Sequence, residues 1–126
     1  GGSEPPFAFT TGTPWLPQPA GWSAVTAEAQ AGDPSSTLTL YRTALAMRPE
    51  FASAGFDWRP GDDVLAFARG DRFVCTVNAS SGPAVIPCPG TIALSSTPIG
   101  PVDPVTGDVV IPADTTVWWK VEGQAR

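Results

Sequence analysis

Residues 14–22 read PWLPQPAGW, with two tryptophans and three prolines in nine positions. Proline fixes φ and has no N–H to donate, so this stretch forms neither a regular helix nor a central strand. It must be a shaped loop. A loop so apolar is expected to pack on something larger than itself. The wider segment 1–32 is irregular throughout and carries Phe7, Phe9, Trp15 and Trp22. Its proline clusters resemble polyproline ligands, but disordered ligands seldom hold so many aromatic side chains, and a packed loop is the better reading.

The next segment, DPSSTLTLYRTALAMR (33–48), predicts a helix. Asp33 suits the N-cap, Pro34 the first helical position, and Pro49 halts the run. Leu38, Tyr41 and Leu45 share one face, and Leu40, Ala44 and Met47 fill the adjacent one. The apolar arc is therefore broad, and the helix is expected to need cover on more than one side.

From about residue 56 the apolar period becomes two. VLAFAR (64–69), FVCTVN (73–78), AVIP (84–87), TIALS (91–95), DVVIP (108–112) and TTVWWKV (115–121) read as short strands. The turn signals PGDD, RGDR, NASSGP, PVTGD and PADT divide them. Short strands at this spacing, with no helices between them, predict an antiparallel β-sandwich or barrel. The chain therefore divides into a loop-plus-helix segment, 1–50, and an all-β module, 51–126.

Charge and composition remove several functions. With 12 Asp and Glu against 7 Lys and Arg, the net charge of −5 disfavours nucleic acid and anionic membranes. No apolar run reaches the length of a membrane span. The N-terminal GGSEPPF lacks the basic and apolar regions of a signal peptide and could be a linker. There is no histidine, which excludes Ser-His and Cys-His nucleophile pairs and His-based metal sites. No EF-hand, P-loop or dinucleotide spacing occurs, so no cofactor or metal is expected.

A two-carboxylate glycosidase pair must be weighed. Asp62 and Asp63 are neighbours and point to opposite sides. Asp71, Asp103, Asp108 and Asp114 lie in turns, where Asp commonly bonds its own backbone. Glu28 is the one acid beside the aromatic loop. None of these residues forms a catalytic pair. The turn NASSG predicts a hairpin that sets Cys75 opposite Cys88; two reduced thiols are favoured over a bridge.

Trp15-Leu16-Pro17, then TAEAQ at 26–30, then DPSSTLTLYR at 33–42 together resemble the tail of family-13 α-glucosidases of the α-amylase superfamily, such as oligo-1,6-glucosidase, with an actinobacterial flavour. In that family this strip follows the eighth strand of a (β/α)8 barrel and runs into its last helix. An antiparallel β-sandwich then closes the chain, as VLAFARGDRFVCTVNAS, TIALSS and IPADTTVWW would do here. Thr26-Ala27 stands where many relatives have Val before the Glu.

The resemblance covers about residues 5–120 and implies a retaining α-glucosidase as the parent, acting on oligosaccharides in the cytoplasm. Its catalytic carboxylates would lie upstream, so no catalytic residue falls within 1–126. The partner of Trp15 and Trp22 would be the remainder of the barrel. Trp15, at the barrel rim, is the one candidate substrate contact, against a structural role in sealing the barrel edge. A different reading is a free-standing carbohydrate-binding module that stacks sugars on Trp58, Trp118 or Trp119. A third is a purely structural module.

Overall fold

The computed structural model describes residues 4–59, 61 and 63–122 and separates into two compact units, Gly1–Ala46 and Met47–Arg126. Asp62 lies outside the described residues.

The first unit has a turn-rich start, a 3-10 turn at Ala20–Val25, a short helix α1 (Ala27–Ala31) and the helix α2 (Thr37–Met47), whose last residue belongs to the second unit. The helix begins later than Asp33 and Pro34 suggest. Asp33 Oδ1 instead accepts from the Ser35 amide at 2.8 Å and from Ser35 Oγ at 2.7 Å, making a tight turn. These bonds to the charged form hold the Asp33 carboxyl below its ordinary range. Ser36 takes over the cap. Its Oγ accepts from the Thr39 amide at 3.2 Å, and its carbonyl accepts from the Leu40 amide at 3.0 Å. Gln30 satisfies another free helix N–H, because its Oε1 accepts from the Leu38 amide at 3.0 Å.

Along α2 no residue is buried. Tyr41 and Leu45 are 64% and 62% exposed, although both belong to the apolar arc. Among the described residues of the first unit, Ser36 alone is buried. Of the broad arc, Leu38, Leu40, Ala44 and Met47 are half-buried, and Tyr41 and Leu45 are left uncovered.

The second unit is an antiparallel sandwich. One sheet has five strands in the order β1-β2-β3-β7-β5: β1 (Phe56–Arg59), β2 (Leu65–Arg69), β3 (Phe73–Asn78), β7 (Thr115–Lys120) and β5 (Thr91–Ser95). The other pairs β4 (Ala84–Pro87) with β6 (Asp108–Ile111). All six sequence-predicted strands are present, and β1 is a seventh. Its alternating Phe-Asp-Trp-Arg is only four residues long and was not resolved as a strand by pattern.

Alternation explains the core. Ala84 and Ile86 of β4, and Val109 and Ile111 of β6, point inward while Val85 and Val110 point out. Ile86, Val109 and Ile111 meet Val117 and Trp119 of β7, all but Ile86 being 1% exposed or less. The Trp119 indole N–H donates to Thr76 Oγ1 at 2.9 Å, so this buried ring leaves no polar atom unpaired. Gly90 lies where an added Cβ would run into the Lys120 carbonyl, which explains a residue without a side chain at the approach to β5.

The expected Cys75–Cys88 hairpin does not form. Strand β3 pairs with β2 and β7, whereas β4 belongs to the other sheet, so NASSG crosses between sheets. Asn78 is the cause. It is fully buried, and its Nδ2 donates to the Ile111 carbonyl at 3.0 Å, the Pro112 carbonyl at 2.9 Å and the Gly82 carbonyl at 2.8 Å. Its Oδ1 accepts from Ser80 Oγ at 2.7 Å. A residue read as a turn former is thus the clamp joining the ends of β3 and β6. Both cysteines are free thiols. Cys75 stands between Phe67 and Trp118 in register, and burial pushes its thiol up to about 11, against a smaller opposing hydrogen bond with Trp118. It stays protonated at neutral pH and behaves as a small apolar core residue.

Candidate functional site

The Pro/Trp loop of the first unit forms an open, apolar cleft. Its entrance is shaped by two successive turns, with the Phe7 amide donating to the Glu4 carbonyl at 2.8 Å and the Phe9 amide to the Pro6 carbonyl at 2.9 Å. Phe7 and Ala8 both have positive φ, 52° and 60°, a conformation that a side-chain-bearing residue adopts at a cost of about 1 kcal/mol or more. The far wall begins at Pro19, whose carbonyl accepts from the Trp22 amide at 3.0 Å. Thr26 then caps α1, its Oγ1 accepting from the Ala29 amide at 3.2 Å. Gln30 Nε2 donates back to the Val25 carbonyl at 2.7 Å.

The resulting space is about 640 Å³, with Phe7, Phe9, Trp15, Leu16, Trp22 and Val25 providing its apolar walls. Trp15 is 94% exposed and Phe9 82%. The ring of Trp15 therefore presents nearly all its surface, available to a sugar ring or to another protein surface. Among the described residues no ionisable side chain lines this cleft. It can bind by apolar contact and through Gln18 and the threonine hydroxyls, and none of its described lining residues carries a carboxylate, imidazole, thiol or amine to act as acid or base.

Two of the carboxylates are held in structural roles. Asp103 Oδ1 accepts from the Val105 amide at 2.7 Å and the Thr106 amide at 3.1 Å, and these bonds lower its pKa. It is a turn residue, as the sequence implies. Glu50 is paired with Lys120 at 2.8 Å. Among the described residues no group of three His, Cys, Asp or Glu could hold a metal ion. Among them too, no helix is long and apolar enough to cross a membrane.

The three tryptophans considered as sugar platforms separate cleanly. Trp119 is inaccessible. Trp118, on the opposite face of β7, is half-buried, and its ring meets those of Phe51 at 5.3 Å and Phe73 at 5.5 Å. Phe51 stacks on Phe73 at 3.9 Å. This cluster is structural, and the sequence did not reveal it because Phe51 lies in an irregular segment. Trp58 is the exception, 65% exposed on β1.

No protein-family model matches the chain, and no curated protein matches it significantly. Solved structures do. The trehalulose synthase MutB from Pseudomonas mesoacidophila MX-45 aligns with a TM-score of 0.71 at 23% identity, over 90% of this chain and 23% of that one. A MutB mutant in complex with the substrate sucrose gives the same figures. An inactive MutB double mutant in complex with isomaltulose aligns at 22% identity, with a TM-score of 0.71. The chain thus spans about 23% of the length of these proteins and shares the fold of that portion.

Proposed function

We propose that this chain is the C-terminal part of a glycoside hydrolase family 13 enzyme, with residues 1–50 ending a (β/α)8 barrel and residues 51–126 forming the β-sandwich that follows it. The neighbours of known structure belong to that family, which agrees with the motif strip of residues 14–42. The observation that carries the reading is the uncovered apolar surface of the first unit, in which Trp15, Phe9, Tyr41 and Leu45 are all more than 60% exposed. A surface of that kind belongs against other protein. The remainder of the barrel is the partner that the resemblance supplies.

The parent enzyme, in this proposal, is a cytoplasmic retaining α-glucosidase acting on oligosaccharides. The α-glucosidase assignment rests on the strip from Trp15 to Arg42. A sucrose-isomerising relative would share the same fold, as MutB does. The role of this chain is structural. Trp15 seals the barrel edge, and the catalytic acid and nucleophile come from elsewhere in the parent. The purified chain should therefore release no glucose from p-nitrophenyl α-glucoside or isomaltose above a buffer blank. Steady turnover by the pure chain would show that an acid and a base are present in it and would overturn the division of roles.

A further inference from the structure

Strand β1 is the free edge of the five-stranded sheet, and all four of its residues are exposed. Phe56 and Trp58 point to the face away from the sandwich core, and Asp57 and Arg59 point to the other. Three rings meet there. Phe56 packs edge-on to Trp58 at 5.2 Å, and Phe67 of the neighbouring strand lies 6.2 Å from Trp58, also edge-on. These two perpendicular ring contacts hold the indole while leaving 65% of Trp58 exposed. Arg69, across from Phe56, is engaged elsewhere, its Nη2 donating to the Ala52 carbonyl at 2.7 Å.

The backbone adds polar groups to this corner. Gly70 N–H donates to the Gly55 carbonyl at 2.9 Å, one step beyond the Phe56–Arg69 pair. Bonded pairs alternate along an antiparallel ladder, so the N–H and C=O of Phe56 and Trp58 are directed away from β2, toward the free edge. A rigid aromatic face beside unpaired backbone donors and acceptors matches one ligand chemistry. The ligand is uncharged, has an apolar C–H face for the ring, and carries hydroxyls for the edge.

Size separates the occupants. Exposed Phe56, Trp58 and Leu65 together offer about 300–400 Å² of apolar surface, given about 150–250 Å² for a whole aromatic residue. A stable protein interface needs about 800 Å² per partner. Strand addition is also opposed, because β1 is four residues long, carries two charges and is followed in sequence by Pro60. We propose that Trp58, held by Phe56 and Phe67, is a stacking platform for an uncharged oligosaccharide at the β1 edge.

The test is titration of the full 126-residue chain with maltose, isomaltose and cellobiose, following the five tryptophan indole N–H signals by NMR. The Trp58 signal is identified by its loss in Trp58→Ala. At least one sugar should shift that signal saturably. Apparent affinity should fall about tenfold or more in Trp58→Ala, survive in Trp58→Tyr, and stay unchanged in Trp15→Ala. A Trp58 signal unmoved by every sugar in the folded wild-type chain overturns the proposal. So does a shift confined to Trp15, which would move binding to the loop. A Trp58 signal that responds to protein concentration and not to sugar would assign the edge to a second copy. None of these outcomes bears on the family assignment, which is decided by the sequence upstream of this chain.

Discussion

Hydrogen exchange on the isolated chain should show amides of residues 37–47 exchanging orders of magnitude faster than those of β2, β3 and β7. The helix has 11 residues and buries none of them. Isolated helices shorter than about 12–15 residues are marginal in water, so α2 depends on cover that the described residues do not provide. Each large apolar side chain left in water forfeits about 1.5–3 kcal/mol, and Tyr41 and Leu45 are both in that position. Capping by Ser36 and Gln30 contributes about 1 kcal/mol each and cannot replace two or three missing contacts. The strands, by contrast, enclose a core in which Ile111, Val117 and Trp119 are fully buried, and they should exchange only through cooperative unfolding of the sandwich. Equal and strong protection of helix and strands in a monomeric chain would contradict this account.

Trp119→Ala should abolish the cooperative unfolding transition of the second unit or shift its urea midpoint drastically. Removing a buried tryptophan costs about 3–5 kcal/mol, and a domain has about 5–15 kcal/mol in total. The loss also strands Thr76 Oγ1, which receives the indole N–H in a site only 2% exposed. Trp119→Phe should be intermediate, since it refills much of the space but restores no hydrogen bond. Trp118→Ala, one residue earlier on the half-buried face, should cost clearly less. Equal midpoints for Trp118→Ala and Trp119→Ala would refute the assignment of inner and outer faces.

The strands were legible because each places its inward residues at every second position. In TTVWWK the alternation requires Trp118 and Trp119 to face opposite sides, and the structure shows that Trp119 is the inner one. FDWR was not legible, being a four-residue edge strand with its charges on one face and its aromatics on the other. The Cys75–Cys88 pairing failed because NASSG has the turn chemistry of a hairpin. Local turn residues do not distinguish a hairpin from an arch between sheets. That difference lies in Asn78, whose bonds reach Ile111 and Pro112, more than 30 residues away. The start of α2 was misplaced because Asp33, Ser35 and Ser36 are all competent caps. Only the reach of Gln30 to Leu38 and of Ser36 to Thr39 selects among them. Trp15 is different again. The sequence marks it as a loop aromatic that should pack on something larger, and within the described residues it stands 94% exposed.

The central claim, that this chain completes a larger glycosidase, is tested most directly by sequencing the locus through the codons preceding Gly1. The account predicts one continuous reading frame encoding a (β/α)8 barrel, with an Arg-x-Pro-x-x-Trp segment after its eighth strand and the catalytic carboxylates upstream of that. A start codon and ribosome-binding site placed directly before this segment, with no barrel in frame, would contradict it. The uncovered loop and helix would then require a different partner.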